Sequence, residues 1–284
     1  MKISSALIVG KNLLSKAGIP QPLRESKLII CYALSINIEN SLLDIEKNLN
    51  KLQIKRVLSL FNRRALGEPF AYLTKSVLFF GFDFYINNKV LIPRPETEEL
   101  VEIVLKKILN KHKKYNILDI GTGSGVILAS LLMHLPKSYG IGTDISINAL
   151  KVSKTNLNNL KLNDRSRLIN TNWSEGIKDN SFDIIVCNPP YIADHHIKNL
   201  HKEVKNYEPL IAIKGGKSGL ESLISLLPSA RRVIKKKGLI AFEVGFDQAT
   251  IAKKILNKNK FIVQEIAKDL SGIERIVIAK LIES

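Results

Sequence analysis

The sequence predicts an α/β protein: a mostly parallel sheet covered by helices on both faces, with a small all-α N-terminal domain and a β-hairpin linker before it. Three observations predict it. From Asn116 onward, apolar runs of strand length alternate with helical stretches, at 116–120, 139–143, 166–170, 182–187, 238–244, 260–268 and 274–281. Such alternation implies parallel strands joined by crossover helices. Before residue 75, apolar residues recur at helical spacing and no convincing strand is present. Between the two, an aromatic-rich stretch changes the period. The expected domains are therefore 1–75 (helical), 76–95 (hairpin linker) and 96–284 (α/β).

Leu7, Leu13 and Leu14 share one face of a first helix. A second starts near Pro22, whose fixed φ suits a first helical position, and carries Leu28, Ile29, Tyr32 and Ala33. A third covers about 54–65 and ends near Gly67 and Pro69. Residues 78–86 and 89–92 then read as two strands, with Asn87-Asn88 at the turn because Asn tolerates positive φ. Pro93-Arg94-Pro95 stops the second strand. Residues 96–109 read as a helix with acidic residues in its first turn, where the helix dipole favours them. The link at 269–273 is too short for a parallel crossover, so the last two strands are expected to pair antiparallel.

An apolar fraction of 45% over 284 residues supports a sizeable core. The 43 basic residues outnumber 26 acidic ones, for a net charge of +17. That excess reads two ways. It suits an anionic partner such as nucleic acid, and it equally suits a solvated, lysine-rich surface in a chain also rich in Ile and Asn. Cys31 and Cys187 form no disulfide framework or CxxC site, which fits a reducing compartment. The apolar stretch at 6–9, cut by Lys11, is too short for a secretory core, and no run approaches membrane-spanning length. A soluble, cytoplasmic protein without a membrane partner is expected.

The chemistry starts at Asp119-Ile120-Gly121-Thr122-Gly123-Ser124-Gly125, where a strand runs into a helix through a glycine-rich turn. Glycines there let the backbone approach a ligand closely. The spacing is GxGxG; the dinucleotide fingerprint needs a small residue at 126, and Val126 stands there. Asp144 ends the second strand, placed to accept both hydroxyls of a ribose. Trp173, the one tryptophan, follows the third strand and is a candidate to cover an adenine face, or else a core residue. The fourth strand ends in Asn188-Pro189-Pro190-Tyr191, because prolines cannot supply ladder N–H groups. The Asn188 amide, proline carbonyls and an aromatic ring then project from the sheet edge where ligands bind. Two acceptors and a stacking face suit a planar NH2 group. With this cluster beside it, the GxGxG turn favours S-adenosylmethionine as cofactor. His195, His196 and His201 lack a companion ligand set, so no metal is expected and a polar lid is.

These segments together resemble the protein-(glutamine-N5) methyltransferases that modify peptide-chain release factors. The likeness spans nearly the whole chain: RALGEPFAY at 64–72, LIPRPETEELVE at 91–102, LDIGTGSG at 118–125, GTDISINAL at 142–150, NPPY at 188–191, YEPLIAIKGGKSGL at 207–220, EVG at 243–245 and DLSGIER at 269–275. The Asn-Pro-Pro-Tyr motif is shared with DNA adenine methyltransferases; the Pro-Arg-Pro-Glu-Thr-Glu segment is more particular. The resemblance implies a seven-stranded, Rossmann-like class I methyltransferase domain. It implies methyl transfer to the glutamine of the Gly-Gly-Gln motif in class I release factors, a modification belonging to translation termination. Gly121, Thr122, Gly123, Ser124 and Gly125 would line the methionine part of the cofactor, Asp144 would hold its ribose, Trp173 would lie near its adenine, and Asn188 would border it. Asn188, Pro189, Pro190 and Tyr191 would bind the glutamine, with Asn188, Pro189 and Tyr191 as the catalytic set. Cys187, where the family often has Ser or Ala, and Lys214 and Lys217 are small departures. Glu243 is expected to end a strand near the cofactor edge with no catalytic role, and Arg94 and Glu96 are expected mainly to brace structure.

Two rivals remain. An N6-adenine methyltransferase would hold its flipped base with the same tetrapeptide, though no target-recognition domain is visible and no stable nucleic-acid partner is expected. A non-catalytic RNA- or ribosome-binding module would not need the intact glycines and Asp144.

Overall fold

The computed structural model describes residues 1–37 and 45–282. They divide into two compact units: Met1–Lys75 with His201–Tyr207, and Ser76–Leu200 with Glu208–Ser284.

The first unit is helical. It holds α1 (Ile3–Lys16), α2 (Pro22–Leu34), α3 (Lys51–Ala65) and the short α4 (Phe70–Thr74). Pro22 opens α2 as expected, and Asn50 closes a reciprocal capping box with Gln53 at the start of α3. Leu14, Ile29, Ile30, Val57 and Phe61 form its apolar centre. Buried Arg64 is held by Glu25 and by Glu203 of the returning 201–207 segment.

The second unit begins with a hairpin, β1 (Ser76–Phe79) and β2 (Phe82–Tyr85). The hairpin occupies the aromatic-rich stretch expected to be a single strand at 78–86, so its turn falls inside that stretch. Phe79 pairs with Phe82, so the two-residue loop is Phe80-Gly81, both at positive φ (48° and 80°). The expected turn at Asn87-Asn88 lies beyond the hairpin, and 89–92 is not a strand. Phe80 tolerates its left-handed backbone because tertiary contacts fix it: its N–H donates to Glu98 at 2.8 Å, and its ring packs edge-on against His134.

After α5 (Pro95–Lys107) come β3 (Asn116–Ile120), α6 (Val126–His134), β4 (Tyr139–Asp144), α7 (Ile147–Asn159), β5 (Ser166–Asn170), β6 (Phe182–Cys187), β7 (Ile192–Ala193), α8 (Asp194–Ile197), α9 (Lys202–Tyr207, in the first unit), β8 (Lys214–Gly216), α10 (Glu221–Val233), β9 (Ile234–Glu243), α11 (Ala249–Lys258), β10 (Phe261–Lys268) and β11 (Glu274–Leu281). Among the described residues, seven strands form one sheet in the order β10-β11-β9-β6-β3-β4-β5. β3 to β6 and β9 run parallel; β11 is antiparallel to both neighbours, as the short 269–273 link requires.

Neighbouring strand residues go to opposite faces. Ile117, Ile184 and Val186 join α5, α6 and α7 in one core, and Leu118, Ile185 and Cys187 join α10 and α11 in the other. A strand buried on both faces has no polar alternation to display, which is why these read as near-continuous apolar runs. The chain runs outward from β3 through β4 to β5, then returns to β6 on the other side of β3. That reversal leaves a crevice beyond the carboxyl ends of the central strands. Among the described residues, no helix is long and apolar enough to cross a membrane.

Candidate active site

The crevice holds a cleft of about 290 Å³. The turn after β3, the end of β4, the loop after β5 and the loop after β6 all contribute to it, through Gly121 to Ser124, Asp144, Trp173, Asn188 and Pro190. Residues separated by up to 69 positions therefore meet because the sheet places their strand ends side by side.

The glycine turn is tightly built. Gly121, Gly123 and Gly125 have φ of 71°, 55° and 81°. The Thr122 N–H donates to the Thr143 carbonyl of β4 at 2.8 Å, and its hydroxyl donates to Asp119 at 2.6 Å. The Ser124 carbonyl accepts from Asn156. Thr122 and Ser124 thus line the cleft while their bonded groups hold the turn in shape. Gly125 lies behind, against Ser153. Burial pushes the Asp119 carboxyl up to about 7, and the nearby Asp144 charge adds to this against the Thr122 and Leu128 hydrogen bonds.

Asp144 accepts from the Gly123 N–H at 2.9 Å with one oxygen and from the Ser146 N–H at 2.8 Å with the other. Each carboxylate oxygen keeps a further lone pair for a ligand hydroxyl. Burial raises its pKa, while those two N–H donors lower it. Trp173 stands at a left-handed φ of 50°, with its indole N–H donating to Ser225 at 2.9 Å, so the ring is fixed at the rim.

At the end of β6, Asn188 Nδ2 donates to Thr97 Oγ1 at 3.1 Å. Thr97 donates to Glu243 Oε2 at 2.7 Å, and the Tyr191 hydroxyl donates to Glu243 Oε1 at 3.2 Å. Burial holds the pKa of Glu243 above the usual range, opposed by these two hydroxyls and the Arg275 charge. Burial likewise raises the Tyr191 phenol, helped by Glu243. Pro189 is buried, and neither it nor Tyr191 lines the cleft; the Tyr191 ring is anchored by its hydroxyl. Gln248 braces the loop by donating to the Tyr191 carbonyl at 2.9 Å, and β7 pairs with β8 just beyond.

One wall comes from residues the motifs did not single out for the cofactor: Lys89, Leu91 and Pro93 line the cleft. They are latched by buried Glu208, which accepts from the Ile92 N–H at 3.0 Å and from Arg94 at 2.7 Å. Arg94 is therefore a brace, and Glu208-Pro209 is its counterpart. Thr97 was not visible as a partner of Asn188, and Glu243 proves to be its second-step neighbour.

A family model described as "Methyltransferase small domain" matches residues 100–207, and one described as "PrmC N-terminal domain" matches residues 5–74. A release factor glutamine methyltransferase of Clostridium acetobutylicum is 37% identical over 286 residues, covering 98% of each chain. One of Caulobacter vibrioides is 35% identical, covering 98% of this chain and 96% of its own.

The chain belongs to the release factor glutamine methyltransferase family.

Bifunctional methyltransferases also match. That of Rickettsia conorii is 34% identical over 93% of this chain, and the chain spans 55% of that relative's length. Among solved structures, a methyltransferase from Pyrococcus furiosus shares the fold, with a TM-score of 0.53 over 81% of this chain and 99% of that one at 19% identity. The seven-stranded sheet is thus the class I methyltransferase fold, and the helical first unit carries the family's N-terminal domain.

Proposed function

We propose that this protein transfers a methyl group from S-adenosylmethionine to the side-chain amide nitrogen (N5) of the glutamine in the Gly-Gly-Gln motif of class I release factors. The observation that carries the proposal is Asn188 at the cleft, with its Nδ2 engaged by Thr97 and its Oδ1 left to accept.

The residues present fit the cofactor. At Gly121 an added Cβ would meet nothing within 4 Å, so bare backbone faces open space in the cleft. Asp144 offers paired acceptors beside it for ribose hydroxyls, and the fixed Trp173 indole offers a face at the rim. When bound, S-adenosylmethionine supplies an electrophilic methyl on a sulfonium.

The chain's own task is to hold the nucleophile. An amide nitrogen attacks poorly because its lone pair is delocalised into the carbonyl. Asn188 Oδ1 accepts one of its two hydrogens, fixes the NH2 and stabilises the positive charge that develops on nitrogen. Pro190, which lines the cleft, borders the side chain. Holding the nitrogen about 3 Å from its target supplies much of the rest. One amide proton leaves to solvent after transfer, so no strong general base is required.

The test is mass spectrometry of a purified class I release factor after incubation with the protein and cofactor. The Gly-Gly-Gln peptide should gain one methyl on its glutamine. Methylation of duplex DNA instead would move the reading to adenine chemistry. Asn188→Ala should retain cofactor binding and lose about 10²–10³-fold in turnover.

A further inference from the structure

We propose that Glu243 is a positioning residue for the methyl-acceptor amide: acting through Thr97, it sets which end of the Asn188 carboxamide faces the substrate. This rests on the reading that Asn188 grips the substrate NH2.

An asparagine side chain has two ends of nearly equal shape and opposite polarity, an acceptor oxygen and a donor NH2. With Oδ1 toward the cleft, Asn188 accepts from a substrate amide. Turned over, Nδ2 would confront the substrate NH2, donor against donor, and the site would favour a carboxylate. The orientation therefore decides the chemistry, and something in the fold must choose it.

Asn188's contact with Thr97 does not choose by itself. A hydroxyl can donate to Oδ1 or accept from Nδ2. Its single proton is committed elsewhere, to Glu243 Oε2 at 2.7 Å, as one of two hydroxyls that donate to the carboxylate. Thr97 must then accept from Asn188, as the 3.1 Å contact from Nδ2 shows. The Tyr191 hydroxyl occupies the other carboxylate oxygen, and Arg275 adds a favourable charge. Glu243 is 1% exposed, so no water competes for these bonds. Polarity thus runs one way, from the carboxylate through the Thr97 hydroxyl to the amide, and ends on Oδ1.

The geometry has a simple source. Cys187 and Phe242 are register partners on adjacent parallel strands, so the next residues, Asn188 and Glu243, stand side by side at the carboxyl ends of those strands. Thr97, in the first turn of α5, sits between them.

Thr97→Val removes the hydroxyl at constant shape, and Thr97→Ser restores it. Thr97→Val should lose about tenfold in kcat, the worth of a buried hydrogen bond. Cofactor affinity by calorimetry should stay unchanged, and Thr97→Ser should recover most of the loss. A release factor with Glu in place of the target Gln should compete better against Thr97→Val than against the wild type, because the freed amide can present Nδ2. Glu243→Gln keeps the side-chain shape but introduces a donor. It should lower kcat alone and add less than about twofold on top of Thr97→Val, since both act along one path. Wild-type kcat in Thr97→Val, unchanged discrimination against the Glu substrate, or multiplicative loss in the double variant would overturn the proposal. If Glu243→Gln does not fold, the Thr97 pair decides alone. Absence of release-factor methylation by the wild type would instead sink the functional reading.

Discussion

Gly121 and Gly125 bound the same turn at similar positive φ, 71° and 81°, yet an added methyl meets opposite surroundings at the two positions. At Gly121 a Cβ has nothing within 4 Å and enters the cleft. At Gly125 it lies 2.4 Å from Ser153 Oγ and 3.2 Å from Ser153 Cβ, on fully buried α7 surface. The left-handed backbone costs either alanine about 1–2 kcal/mol. Overpacking adds about 1–3 kcal/mol at Gly125, so Gly125→Ala should destabilise by about 2–5 kcal/mol in total. Gly121→Ala should keep the fold, at a cost of only about 1–2 kcal/mol. Its methyl competes instead with the ligand. The same overpacking, now falling on binding, weakens S-adenosylmethionine by about 5- to 150-fold. Urea unfolding reads the first quantity and calorimetric titration the second. Gly121→Ala binding the cofactor at wild-type affinity would show that the bare backbone at 121 is not its seat. Equal stability of the two variants would show that Ser153 does not constrain the turn.

Two further outcomes follow from buried carboxyls. Glu208→Ala leaves the Ile92 N–H and Arg94 without their acceptor; it should cost about 1–3 kcal/mol in urea and weaken cofactor binding, because Leu91 and Pro93 wall the cleft. Unchanged calorimetric affinity would place the latch outside the binding function. Asp119 titrates at about 7 in the fold against an ordinary 3.8. Its contribution is full below the unfolded pKa and is lost as pH rises toward 7, on the order of 4 kcal/mol across that window. Asp119→Asn cannot ionise and should flatten the fall in unfolding free energy between acidic and neutral pH; parallel pH profiles for the two proteins would refute this.

The α/β region was legible because its strands are buried on both faces. Runs such as Asn116–Ile120 and Phe182–Cys187 are mostly apolar and stop at Gly121 and at Asn188-Pro189, so their C-terminal ends show in sequence. β9 begins at Ile234, four residues before the apolar run at 238. Lys235 to Lys237 carry no strand signal of their own, and Lys235 is held by Asp183 of the neighbouring strand. The hairpin turn failed for the same kind of reason. Local preference favours Asn87-Asn88 for positive φ, yet Phe80 takes it, held by Glu98 and His134 from α5 and α6. Local chemistry names a residue's preference; packing against distant elements decides whether it is overridden.

The candidate site shows the same divide. Gly121, Asp144 and Asn188 announce themselves by type and by position at strand ends. Their partners do not. Thr97 is 91 positions from Asn188, and Glu243 is 146 from Thr97. Segments that look unrelated along the chain are one hydrogen-bonded unit in space: Glu208 holds the strand of chain that leads into Thr97, Thr97 joins Asn188 to Glu243, and Glu243 holds Tyr191. The acceptor oxygen that would meet the substrate is therefore not a property of Asn188 alone. It depends on a carboxylate placed one residue past the register partner of Cys187, and on a helix whose first turn reaches both. Mounting this chain of bonds on strand ends and a helix start, rather than on a free loop, is what lets a single amide be held one way round.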